Sequence, residues 1–186
     1  SECLVGSEMC IRDRITTVSN TYAEEIKMPF YGEHLDGLMR ARSNSLVGIV
    51  NGLDYNEYDP EKDPYIYHNY NVKNFRKEKI KNKRGLQREL GLAEDDKKFM
   101  IGIVARLTDQ KGLDLVAYIM DELCSDAIQF VVLGTGEANA ENAFKWMEQE
   151  YKGQAVYYCG YNEDLAHLIY AASDLFLMPS LYEPCG

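Results

Sequence analysis

From Phe99 onward, short apolar runs alternate with helical periods. The runs fall at Phe99 to Ala105, Ile128 to Leu133, Ala155 to Tyr158 and Leu175 to Met178. Short apolar runs of this length are the mark of buried strands. Between the runs, apolar residues recur on one helical face: Leu113, Val116, Ala117, Met120 and Cys124, then Phe144, Met147 and Tyr151, then Leu165, Leu168, Ile169 and Ala172. Strand and helix alternating at this spacing predict βαβ units and a parallel sheet. In such sheets ligands bind beyond the carboxyl ends of the strands, which directs attention to the turns that follow them.

Upstream the pattern is thinner. Ile15-Thr-Thr-Val predicts a strand, and Thr21 with Glu24 three residues later predicts a capping box and a helix. Tyr31-Gly32 breaks that helix; Leu35, Leu38 and Met39 predict another, and Leu46 to Val50 a second strand closed by Asn51-Gly52. Residues 15–52 are too few to bury a core of their own and read as the carboxyl-terminal part of a larger domain. Residues 53–90 read as a connector followed by a basic helix, Lys73 to Arg88, with Ile80 and Leu86 facing inward. Such a stretch is a solvated helix face before it is a polyanion site. Residues 91–186 form the parallel-sheet domain. The first fourteen residues, SECLVGSEMCIRDR, carry neither period nor a signal-peptide pattern, and are set aside as a non-native leader.

Composition narrows the partners. The chain is 186 residues long, 46% apolar and 27% charged, which describes a globular protein. No run approaches the roughly 20 apolar residues of a membrane span. A net charge of −10 repels nucleic acid and anionic lipid, so a phosphate ligand requires a local basic site. Five scattered cysteines without a C-x-x-C pair point to a reduced, cytoplasmic protein. The three histidines, His34, His68 and His167, share no ligand spacing, and no metal is expected.

The strand-end turns hold the candidate chemistry. After the first strand, Ala105-Arg106-Leu-Thr-Asp-Gln-Lys111-Gly lacks both the dinucleotide fingerprint and the P-loop. It places Arg106 at the strand end and Lys111 at a helix start, where a cation opposes the helix dipole unless an anion neutralises it. Two such cations suit a phosphate, although an Arg and a Lys in a loop, taken alone, are more often solvated than functional. The second turn, Leu133-Gly134-Thr135-Gly136-Glu137, permits close backbone approach to a ligand and also serves as an ordinary tight turn. The third, Cys159-Gly-Tyr161-Asn-Glu163, offers an aromatic platform for a base or a ring packed on its neighbours. The fourth is Ser180-Leu-Tyr-Glu183-Pro-Cys185-Gly186.

Eight stretches, DRITTVSNTYAEEI, YGEHLDGLM, GIVNGLD, NKRGLQRELGL, ARLTDQKGLDLV, LGTGE, GYNE and MPSLYEPCG, resemble in order and spacing the bacterial glycogen synthases and plant starch synthases. The resemblance runs from Asp13 to Gly186. It implies the GT-B fold, an α/β architecture of two Rossmann-like domains, with this chain holding the tail of the amino-terminal, acceptor-side domain and a truncated carboxyl-terminal nucleotide-sugar domain. It implies transfer of glucose from ADP-glucose to the nonreducing end of an α-1,4-glucan, with retention of configuration and without a metal or other cofactor. Arg106 and Lys111 would hold the diphosphate, Tyr161 would lie against adenine and Glu183 would contact the glucosyl ring. Gly134, Gly136, Cys185 and Gly186 would belong to the donor site, with Asn51 near the cleft. Cleavage of the sugar–phosphate bond leaves negative charge on ADP, and without a divalent ion two fixed cations must stabilise it. The family's Lys-Thr-Gly-Gly-Leu loop and its amino-domain histidine precede the stretches present here, and its Leu-Thr-Gln helix follows them. The 186-residue polypeptide alone is therefore expected to lack synthase activity. The alternatives are a retaining transferase of the same fold with another donor or acceptor, and a noncatalytic nucleotide- or glucan-binding module.

Overall fold

The computed structural model describes residues 13–124 and 127–184. The leader expected at residues 1–14 lies, up to residue 12, outside the described residues, as do Cys185 and Gly186. The chain divides into two compact units, Ser1–Leu53 with Glu183–Gly186, and Asp54–Tyr182.

In the first unit, strands β1 (Ile15–Val18) and β2 (Leu46–Ile49) pair in parallel with Ile15 opposite Leu46. Helices α1 (Asn20–Glu25) and α2 (Asp36–Ala41) lie between them in the chain. The predicted capping box is displaced. Ser19 turns the chain at φ 74°, and its Oγ accepts from the Tyr22 amide at 3.1 Å, so the helix begins ahead of Thr21. Glu24 is paired with Lys27 instead. Among the described apolar residues of this unit only Ala23 and Met39 are buried.

The second unit carries a four-stranded parallel sheet in the order β5-β4-β3-β6, made of β3 (Phe99–Val104), β4 (Ile128–Gly134), β5 (Ala155–Cys159) and β6 (Leu175–Phe176). Side chains alternate across the pleat. Ile101, Ile103, Phe130 and Val132 point to one face, where they meet α4 (Leu113–Tyr118), α5 (Met120–Leu123) and α6 (Ala138–Glu150) through Val116, Met120, Phe144 and Met147. Met100, Val131 and Leu133 point to the other face, against Leu86 of α3 (Phe75–Glu89) and Leu165, Leu168 and Ile169 of α7 (Glu163–Ala172). Both faces are covered, which is why these strands read as continuous apolar runs rather than alternating ones. The single helical period expected from Leu113 to Cys124 is divided, because Ile119 leaves the helical region between α4 and α5. The last strand keeps only Leu175 and Phe176, which pair with Ile101 and Gly102.

Helix α3 departs from its expected face. Leu86 is fully buried, but Ile80 is exposed, and the inward positions are taken by Asn82, Lys83 and Gln87. Each of these polar side chains is satisfied. Gln87 Nε2 donates to Gln129 Oε1 at 2.7 Å, and Gln129 Nε2 donates to the Ala93 carbonyl at 2.7 Å. Lys83 pairs with Asp174 and also donates to the Lys98 carbonyl at 3.1 Å. The same Asp174 carboxylate accepts from the Met100 amide at 2.8 Å, so one ion pair fixes α3, β3 and the approach to β6.

Removing the acceptor would strand the buried Lys83 ammonium. Asp174→Ala is expected to lower the unfolding free energy by about 2–3 kcal/mol in urea titration, below the cost of severing a fully enclosed pair because Asp174 retains solvent contact. An unchanged midpoint would show that the pair does not anchor the sheet.

Candidate functional site

The site is built where the β3–β4 ladder continues past its strands. Ala105 N donates to Leu133 O at 3.1 Å and Leu107 N to Thr135 O at 3.0 Å; Glu137 N donates to Leu107 O at 2.7 Å. Leu107, fully buried, forms a parallel bridge to Gly136. These contacts lay the two strand-end turns directly on one another. A Cβ at Gly134 would run into the Ala105 carbonyl oxygen, and one at Gly136 into the carbonyl oxygen of Leu107. Both glycines therefore admit the neighbouring turn of their own chain. The end of β5 joins the same assembly, since the Gly134 carbonyl accepts from the Gly160 amide at 3.2 Å and from Tyr157 Oη at 3.1 Å.

Three strand ends and the start of α7 enclose a cavity of about 220 Å³ lined by Arg106, Gly134, Thr135, Gly160, Tyr161 and Ala166, among others. Whole-ligand pockets run to roughly 300–1,000 Å³, so this one has the size for a planar base rather than for a complete nucleotide sugar. Tyr161 is 82% exposed, which leaves a ring face open to a partner. Its hydroxyl donates to Glu163 Oε2 at 3.1 Å, and that bond, followed by the Glu163 charge, raises the phenol's pKa. Asn162 caps α7, its Oδ1 accepting from the Leu165 amide at 3.0 Å, and so fixes the chain beside Tyr161.

The structure thus brings Arg106, Gly134 and Tyr161 to one cavity. Lys111 lies outside its lining, in a 3-10 turn, Asp109–Lys111, that precedes α4. The segment after β6 is bonded to that turn: Leu181 N donates to Gln110 O at 2.9 Å, and Gln110 Nε2 to Tyr182 O at 3.0 Å. Asn51 and Glu183 belong to the first unit, where Ser19 Oγ donates to the Pro184 carbonyl at 2.6 Å. Cys185 and Gly186 lie outside the described residues. Among the described residues no group of three or more His, Cys, Asp or Glu side chains could hold a metal ion. No helix among them is long and apolar enough to cross a membrane.

Sequence reasoning passed over Glu141. Its carboxylate accepts from Thr135 Oγ1 at 2.7 Å and from the Gly136 amide at 3.1 Å, clamping the Gly-Thr-Gly turn. The Thr135 hydroxyl, then the Gly136 amide, hold its pKa down to about 2. Asn162 was legible as an N-cap, being a short polar residue three positions before the first buried leucine of α7.

The chain is similar to known proteins. Residues 88–186 match the family described as Glycosyl transferases group 1, and residues 4–41 the Starch synthase catalytic domain. The chain is 67% identical over 174 residues to the glycogen synthase of Lachnospira eligens and 61% identical to that of Lachnoclostridium phytofermentans; each alignment covers 94% of this chain and 36% of the relative. The catalytic domain of starch synthase IV from Arabidopsis thaliana, bound to ADP and acarbose, has a GT-B fold and matches with a TM-score of 0.88 at 34% identity, over 96% of this chain and 37% of that one. The chain therefore spans about a third of the length of these relatives.

Because Glu141's pKa is depressed on folding, the clamp contributes stability above the ordinary carboxyl value near 4.5 and loses it as pH falls toward about 2. Protection of the Gly136 amide in hydrogen exchange is expected to hold at neutral pH and to disappear across that window. In Thr135→Val the Glu141 titration, followed by NMR, should move upward; a midpoint that stays put would show that the hydroxyl is not the main cause.

Proposed function

We propose, for a chain that belongs to the group 1 glycosyl transferases, that the intact protein transfers glucose from ADP-glucose to the nonreducing end of an α-1,4-glucan with retention of configuration. The observation that carries this reading is the strand-end cavity, which has a cation on one wall and an open tyrosine on another. The 67% identity to a glycogen synthase and the likeness to a starch synthase bound to ADP support the choice of donor and acceptor.

In this proposal Tyr161 stacks on adenine, Thr135 and the glycine turns pass the ribose toward the strand ends, and Arg106 and Lys111 neutralise the diphosphate. As the sugar–phosphate bond breaks, charge builds on ADP, and the two side chains take the place a divalent ion would otherwise fill. We assign Glu183 to the glucosyl ring, and Cys185 and Gly186 to the donor pocket. Residues 15–52 form part of the acceptor-side domain, and residues 91–186 part of the donor domain. We assign the protein to the cytoplasm, in line with the free thiols of Cys124 and Cys159.

The test uses the intact synthase. Loss of one charge-assisted contact costs about 1.5–3 kcal/mol, so Arg106→Ala should weaken ADP binding about ten- to a hundredfold in calorimetry. Tyr161→Ala should cost about 1–3 kcal/mol if a base stacks there. ADP affinity unchanged by Arg106→Ala would remove the phosphate assignment. Turnover of UDP-glucose or GDP-mannose in preference to ADP-glucose would identify a different transferase of the same fold.

A further inference from the structure

Residues 54–70 show no periodicity, yet they fold tightly around one carboxylate. Asp63, 7% exposed, accepts from the Tyr65 amide at 2.9 Å with Oδ1 and meets His167 Nδ1 at 2.7 Å with Oδ2. His167, 2% exposed, sits one turn inside α7 with its ring stacked on Tyr58 at 4.9 Å and 6° and tilted against Tyr65 at 5.0 Å. Its Nε2 is buried without a hydrogen-bond partner, and the residue lines a cavity of about 90 Å³ with Tyr58, Ile66, Tyr70 and Tyr170. Burying an imidazole with one nitrogen unpaired is unfavourable, and an apolar residue would fill the position at lower cost. What the imidazole adds is a directional bond across 104 residues of chain.

That bond bears on the candidate site through the geometry of α7. Ala166, the neighbour of His167, lines the strand-end cavity together with Asn162 and Tyr161. Apolar packing on the sheet holds α7 in place but resists rotation about its own axis only weakly; a hydrogen bond and a stacked ring on the far side fix that rotation. Tyr58, stacked on His167, also lies within electrostatic reach of Glu163 and Tyr161. The connector is the covalent continuation of the first unit, which ends its leading segment at Leu53.

We propose that Asp63 and His167 are positioning residues for the nucleotide: their pair fastens the connector to α7 and sets the orientation of Tyr161 and the first turn of α7. This rests on the reading of the cavity as the base site. In the intact synthase, at a temperature where circular dichroism shows complete folding, Asp63→Ala should raise the ADP dissociation constant and the donor KM about tenfold while changing kcat less. With Asp63 intact, His167→Asn, whose amide can still donate to Asp63 from near the Nδ1 position, should keep most of the affinity, whereas His167→Leu should lose it as Asp63→Ala does. Should Asp63→Ala fail to fold, Asp63→Asn against His167→Leu carries the same comparison. A fall in melting temperature with unchanged ADP affinity in every folded variant would reduce the pair to scaffolding and overturn the proposal. If Tyr161→Ala and Arg106→Ala weaken ADP binding and the Asp63 variants do not, this inference alone falls; if none of them does, the base-site reading falls with it.

Discussion

The candidate site depends on backbone pairing that outlasts the strands. β3 and β4 end by secondary-structure criteria at Val104 and Gly134, but their amides and carbonyls go on meeting as far as Leu107 and Glu137. A turn that leaves a strand ordinarily bows into solvent and is mobile. Here two turns brace one another, with Leu107 fully buried beneath them. Arg106 thereby projects from a fixed support, and that is the condition under which a cation can be worth more to a developing charge than solvent is. The glycines of the second turn are explained by this contact before any ligand is considered. A side chain at either position would push the turns apart and carry Arg106 with them.

Helix α7 is the second support. Seven of its residues are buried, on every side of the helix, as expected for a helix enclosed by protein. The sheet takes Leu165, Leu168 and Ile169; α3 supplies Lys79, whose ammonium donates to the Tyr170 and Ala171 carbonyls at 3.1 and 2.8 Å and closes the carboxyl end. The connector takes His167. A helix held at its carboxyl end, on its sheet face and on its outer face has little freedom left at its amino end, where Asn162 and Tyr161 stand. The apolar core and the polar latch thus answer different questions: the first decides where the helix lies, the second how it is turned.

What could be read from the sequence was local. The four strands, the helical faces from Leu113 onward, and Arg106 and Tyr161 as strand-end residues all follow from period and punctuation within a short window, and the structure places Arg106 and Tyr161 on one cavity. What could not be read was the long-range polar wiring. Ile80 was expected inside α3 because it is apolar, but the starts of β4 and β6 offer Gln129 and Asp174, and Gln87 and Lys83 turn toward them instead. Glu141 looks like any acidic residue in a first helical turn until the Gly-Thr-Gly loop is seen to fold back on it. Asp63 and His167 are 104 residues apart with β3, β4 and β5 between them, and no local pattern links them. The capping box at Thr21 failed for a simpler reason: Ser19, two residues earlier, leaves the strand at positive φ and caps the helix itself through the Tyr22 amide.

The distribution of charge bears on where a diphosphate can settle. The chain is acidic overall, and its densest run of cations, Lys73 to Arg88, looks in sequence like a rival anion site. In the fold the second half of that run is paired: Lys81 with Glu78, Lys83 with Asp174, Arg84 with Asp96 and Arg88 with Glu94. Arg84 and Arg88 are tied to the loop that leads into β3. An exposed ion pair contributes little stability, but it does cancel the field that would draw a phosphate to the wrong place. Arg106 stands apart from that neutralised surface, exposed at the rim of a concave, partly apolar site where low-dielectric walls strengthen the attraction it exerts. The acidic remainder of the surface repels polyanions at large.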